Sequence, residues 1–171
     1  VKRVINTVGL PDDETSHNYY LTDFLRIYTA KPATLTTVFC NVYKVLKNFQ
    51  AHGVEMGICT NKPQIPAKIV LDQFDMITFF TSIVGGDRLP TRKPDPAMLH
   101  LVMRELKTDH CLFVGDSEID VATAKAAGMP LALFTRGYRQ TSVADLAPEF
   151  HFDNHADLFA IVDRYFSLLN R

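Results

Sequence analysis

The chain has 171 residues, 47% of them apolar and 22% charged, with 18 basic and 19 acidic side chains for a net charge of −1. This composition excludes disorder, and the near balance of charge leaves no basic stripe for a polynucleotide backbone, so nucleic acid is not an expected partner. No membrane partner is expected either, because no apolar run approaches the about 18 residues that a spanning helix needs.

Taken in chain order, the first segment reads as helical. Tyr20, Phe24 and Ile27 recur at three- and four-residue spacing within 17–29, and Val42, Val45, Leu46 and Phe49 do so within 38–50, which Gly53 closes. Residues 30–37 form the one linker-like stretch. From residue 54 the pattern changes to short apolar runs, at 54–59, 80–84, 111–114 and 130–134, alternating with helical stretches at 66–74, 96–106 and 119–127 and a last helix near 156–169. That alternation predicts βαβ units around a parallel sheet, with right-handed crossovers. Pro63 and Pro66 open one helix and Pro94 and Pro96 another, where a missing N–H breaks no helical bond. Of the three cysteines, Cys59 and Cys111 lie in apolar runs and Cys40 stands apart, with no metal-type spacing among them. Reduced thiols and a cytoplasmic setting are expected.

In an open parallel sheet ligands gather at the carboxyl ends of the strands, so the residues just after each run carry the chemistry. Such polar positions are Thr60-Asn61-Lys62-Pro63, Gly85-Gly86-Asp87 and Gly115-Asp116-Ser117-Glu118-Ile119-Asp120, together with Arg92-Lys93-Pro94-Asp95-Pro96 before the helix at 96–106. Three carboxylates within five residues, Asp116, Glu118 and Asp120, repel one another unless a cation intervenes, and hard oxygen donors in small number suit Mg²⁺. Capping of the next helix by Asp116 or Ser117 explains the same residues without a metal, and both readings stand. Lys93 can neutralise a phosphate or simply sit in solvent. Thr60 can offer its hydroxyl and backbone amide to an oxyanion or serve structure alone.

The order and spacing of these four motifs resemble the haloacid dehalogenase superfamily of phosphatases. Cys59-Thr60-Asn61-Lys62-Pro63, Val84-Gly85-Gly86-Asp87 and Thr135-Arg136-Gly137-Tyr138 are similar to its phosphoglycolate phosphatase branch, over roughly residues 35 to 165. The resemblance implies a three-layer α/β core (Rossmann-like) at 37–171 and a remnant of a helical cap at 1–36. It implies a Mg²⁺-dependent phosphomonoester hydrolase for a small phosphorylated metabolite such as 2-phosphoglycolate. Thr60 and Asn61 would bind the phosphoryl group, Lys93 would neutralise it, Asp116 would ligate Mg²⁺, and Asp120 would support the metal or Lys93. The residues name no oligomeric state.

One departure is large. The superfamily's Asp-x-Asp motif, whose first Asp attacks phosphorus, occurs nowhere among the 14 aspartates. Without it no aspartyl-phosphate can form, and the strand that carries it, expected between the runs at 54–59 and 111–114, is missing too. Because the chain begins with Val and such a gap is hard to stabilise, truncation is expected rather than an evolved loss of activity. Alternatives are a catalytically silent phosphate-binding or interaction module and a sugar-phosphate mutase, with a dehalogenase less favoured. A smaller departure, Cys40 in place of proline, bears on how the helix at 38–50 starts. His151 and His155, four apart, and the His17, Tyr19 and Tyr20 group are weaker candidates, for which packing is the simpler expectation.

Overall fold

The computed structural model describes Thr7, Gly9, Pro11 and residues 13–169. The chain divides into two compact units, 1–36 and 37–171. In the first, helix α1 (Glu14–Ala30) is started by Asp13, whose carboxylate accepts from Ser16 N–H at 2.8 Å, with Glu14 adding negative charge at the positive helix end. No residue of α1 is buried. Tyr19, Leu21, Phe24 and Ile27 are all exposed, so the apolar spacing that predicts a packed face makes a helix without covering it.

The second unit runs α2 (Val42–Ala51), β1 (Gly57–Cys59), α3 (Gln64–Gln73), a 3₁₀ turn (Ile77–Phe79), β2 (Ser82–Val84), α4 (Ala97–Leu106), β3 (Phe113–Gly115), α5 (Glu118–Ala127), β4 (Leu131–Phe134), the single turn α6 (Val143–Leu146), β5 (Phe150–Phe152), a second 3₁₀ turn (His155–Asp157) and α7 (Leu158–Leu169). Every strand pairing is parallel. β1 pairs with β2, and β3, β4 and β5 pair in that order, in two separate sheets. The strands at 54–59 and 111–114 are therefore not hydrogen-bonded to each other.

β4 explains the layering. Its residues alternate between two cores: Ala132 and Phe134 pack with Val45 and Phe49 of α2 and Leu158 of α7, while Leu131 and Leu133 pack with Val121 and Ala124 of α5 and Leu146 of α6. Helices thus cover both faces of this sheet, which makes the three-layer α/β architecture. A third cluster, Val84, Met98 and Val102, seats α4 beneath β1 and β2.

Several boundaries differ from the expected ones for physical reasons. The run at 54–59 is strand only at its last three residues, since Val54 N–H turns back to Phe49 O and the paired register starts at Gly57, just past the bond from Thr81 N–H to Met56 O. Helix α2 starts at Val42 rather than 38, after Asn41 adopts a left-handed φ of 67° and its side chain bonds Asn154 Oδ1 at 2.9 Å. β5 and α6, both absent from the sequence reading, are three and four residues long. Such lengths carry too few residues to display a period.

Candidate active site

Gly115 ends β3, and Asp116 and Ser117 lead into α5. Ser117 is its N-cap and Asp120 completes a capping box, with Asp120 Oδ2 accepting from Ser117 N–H (3.1 Å), Ser117 O–H (2.7 Å) and Asp116 N–H (3.0 Å). The chain passes Asp120 so closely that a Cβ on Gly115 would lie 2.3 Å from Asp120 Cβ. Only glycine fits there. The other oxygen, Oδ1, accepts from Lys93 Nζ at 2.7 Å, and both side chains are nearly enclosed, at 11% exposure for Lys93 and 6% for Asp120. Burial pushes the Asp120 carboxyl up, but the Lys93 ammonium and the hydrogen bonds from Lys93, Asp116 and Ser117 outweigh it and hold the group below its ordinary value of 3.8.

Lys93 comes from the β2–α4 loop, where its peptide bond to Pro94 is cis, and its ammonium also lies 5.5 Å from the Phe113 ring centre on β3. It therefore crosses from the loops of one sheet to those of the other. Its backbone is gripped by Asn61 at the end of β1: Asn61 Oδ1 accepts from Lys93 N–H at 2.9 Å and Asn61 Nδ2 donates to Lys93 O at 3.0 Å. Next to it, Arg92 Nε donates to Gly86 O at 2.6 Å, and Gly86 packs against the Asn61 backbone so tightly that a Cβ would sit 2.3 Å from Asn61 O. Asp87, the last residue of that Gly-Gly-Asp, caps α3 through Gln64 N–H at 2.7 Å.

The structure places the remaining expected residues as follows. Thr60 N–H is taken by Val84 O at 3.0 Å, which removes the backbone amide as an oxyanion donor; its hydroxyl oxygen accepts from Lys62 N–H at 3.1 Å, and its own O–H remains a donor. Asn61, expected at the phosphate, has both amide atoms bonded to Lys93 instead. The three carboxylates do not gather into a ligand set, and among the described residues no group of three His, Cys, Asp or Glu side chains could hold a metal ion. Their mutual repulsion is relieved by N–H donors and Lys93. Glu118 Oε1 accepts from Gln140 N–H at 2.5 Å and Thr141 N–H at 2.6 Å, and Asp116 Oδ2 from Tyr138 N–H at 3.1 Å. Donation by Thr141, by Glu118's own N–H and by Gln140 brings the Glu118 carboxyl down to about 2. These bonds tie the loop after β4 to the acidic loop after β3.

Sequence reading missed this cross-tying. Its signal was the glycine in Thr135-Arg136-Gly137-Tyr138, where a Cβ on Gly137 would lie 2.2 Å from Asp116 Cβ. Cys59 lies just before Thr60, and burial, eased by Lys93 and reinforced by Asp120, pushes its thiol up to about 11. It is thus an uncharged packing group at neutral pH. His155 stacks among Phe39, Phe134 and Phe152, a packing role, with burial lowering its basicity. No helix among the described residues is long and apolar enough to cross a membrane.

The arrangement provides a hydroxyl donor, a held ammonium and a carboxylate with a single N–H partner around the carboxyl ends of β1 and β3. Residues 2–134 match the model of the haloacid dehalogenase-like hydrolase family. A phosphoglycolate phosphatase of Cereibacter sphaeroides is 40% identical over 158 residues, covering 92% of this chain and 72% of that protein. Phosphoglycolate phosphatase 1 of Pseudomonas aeruginosa is 40% identical over 159 residues, covering 91% of this chain and 57% of the relative. Among solved structures, one described as a predicted phosphoglycolate phosphatase from Haemophilus somnus superposes with a TM-score of 0.83 at 27% identity, over 92% of this chain and 72% of that one. The chain belongs to the haloacid dehalogenase-like hydrolase family.

Proposed function

We propose that the chain carries the charge-stabilising part of a phosphomonoesterase site whose substrate is a small phosphorylated acid, with 2-phosphoglycolate first among candidates. The single observation that supports this most is the Lys93 ammonium, enclosed, aimed by Asp120 and joined through its backbone to the Thr60-Asn61 turn. In this reading Thr60 O–H donates to a phosphoryl oxygen. Lys93 neutralises charge as it builds on the transferring group, and Asp120 keeps the ammonium charged and directed. The names of the relatives supply the substrate class.

Mg²⁺ would supply charge neutralisation across the phosphoryl oxygens when bound. The donors described here fit it only in part: Asp120 is committed to Lys93 and the helix cap, Glu118 to the loop after β4, and Asp116 alone has the capacity to ligate. Further carboxylates are needed, and the Asp-x-Asp pair absent from this sequence is the natural source. We place that pair on a strand lying between β1 and β3, supplied by a longer chain.

The test is phosphate release from 2-phosphoglycolate by the 171-residue chain and by one extended with the reading frame upstream of Val1, each with and without Mg²⁺. Turnover is expected only in the extended chain with the metal, because the covalent step needs its nucleophile. There Lys93→Ala should cut turnover by on the order of 10² or more, and Asp116→Asn should weaken the metal dependence. Turnover by the 171-residue chain would refute the placement of the nucleophile; a folded extended chain without turnover would favour a silent binding module.

A further inference from the structure

We infer that Asn61 is a positioning residue, not a phosphate ligand: it fixes the Lys93 loop and so sets where the Lys93 ammonium stands. Residues 61 and 93 belong to different loops, and Lys93 reaches its counter-charge on a third element, α5. Nothing in the regular secondary structure holds such a reach in place. Asn61 is the side chain that meets the Lys93 peptide from outside its own loop, and it does so with both ends of the amide, accepting from the N–H at 2.9 Å and donating to the C=O at 3.0 Å. This mimics one rung of a sheet ladder. An amide is the chemical group that fits, since aspartate lacks the donor and leucine both partners.

The clamp is itself seated. Gly86 leaves room for the Asn61 backbone, Gly86 N–H bonds Lys62 O at 2.9 Å, and Arg92 Nε returns from the neighbouring residue to Gly86 O. Residues 92–93 are therefore bound to the turn after β1 twice, directly through Asn61 and indirectly through Gly86, which Arg92 holds and which itself bonds Lys62 O. The Lys93 side chain, 11% exposed, then has little freedom other than toward Asp120. The catalytic consequence rests on the phosphatase reading; the clamp does not.

The experiment measures the rate at which each lysine of the full 171-residue chain is acetylated by an activated ester, read by peptide mass spectrometry. Lys125, whose ammonium bonds Leu146 O at 3.1 Å elsewhere in the unit, reports general loosening. With Asn61→Ala, Lys93 should acetylate about tenfold faster while Lys125 is unchanged, the effect of losing two net hydrogen bonds from a local opening equilibrium. Asn61→Asp, which keeps the acceptor, should fall between. An unchanged Lys93 rate, or Lys93 and Lys125 rising together, would overturn the clamp. Inorganic phosphate added to the unaltered chain should slow Lys93; if it does not while the Asn61 variants behave as expected, the phosphatase reading fails and the clamp holds.

Discussion

β3 and β4 are neighbours in one sheet with opposite surroundings. β4 is buried at all four of its positions and pairs on both sides, whereas β3 pairs on one side and Val114, at its centre, is 40% exposed. β1 resembles β3: it pairs with β2 alone, and none of its three residues is fully buried. β-Branched and aliphatic side chains of this kind ordinarily fill the middle of a sheet. The contrast teaches that the sheet organises one half of this unit, while the loops after β1 and β3 are held by side-chain ties. Asn61 joins Lys93 to the turn after β1, and Asp120 joins it to the start of α5, which follows β3.

Breaking the second tie should have the largest effect on stability. Asp120→Ala removes three hydrogen bonds of the helix cap and leaves an enclosed ammonium without its counter-charge, so it should cost on the order of 3–5 kcal/mol in urea unfolding. If the loss is under about 1 kcal/mol, as for an exposed pair, the ties are incidental.

The strand contrast itself can be sharpened by truncating a side chain on each strand. Leu133→Ala on β4 should cost about 2–5 kcal/mol, the range for cavities in a closed core. Val114→Ala on β3 removes a half-solvated side chain and should cost less than about 1 kcal/mol. Equal losses would mean that β3 is covered as well as β4.

A smaller effect is expected from acid. Both Asp120 and Glu118 are held below their ordinary values of 3.8 and 4.5, so the folded state favours their charged forms. The stability they contribute is complete above those values and is lost as pH falls through the lower folded ones, for Glu118 between 4.5 and about 2. Urea midpoints at pH 7, 4.5 and 3 should therefore fall over the last interval. In Glu118→Gln part of that fall should vanish, because one of the two carboxyls has been removed from the linkage.

How much of this was legible in the sequence follows from distance along the chain. The alternation of apolar runs with helical stretches announces four of the five strands. β5 escaped because Phe150-His151-Phe152 is a single alternation with no period to count. The Asn61 clamp escaped because its partner is 32 residues away and an asparagine after a strand looks the same whether it binds a ligand or a backbone. The choice between a cation site and a helix cap stays open for the three carboxylates at the level of sequence, because their spacing records repulsion but not the N–H donors of Tyr138, Gln140 and Thr141, which only folding brings near.

The central claim, that β1 and β3 are two sides of one interior strand position, is tested most directly by amide hydrogen exchange on two chains. One is the 171-residue chain and the other is extended by the reading frame upstream of Val1. The account predicts that β4 amides exchange slowly in both, while the amides of β1 and β3 that face away from β2 and β4 exchange quickly in the shorter chain and slowly in the longer. Protection of those amides equal to that of β4 in the shorter chain, or no gain of protection in the longer, would contradict it.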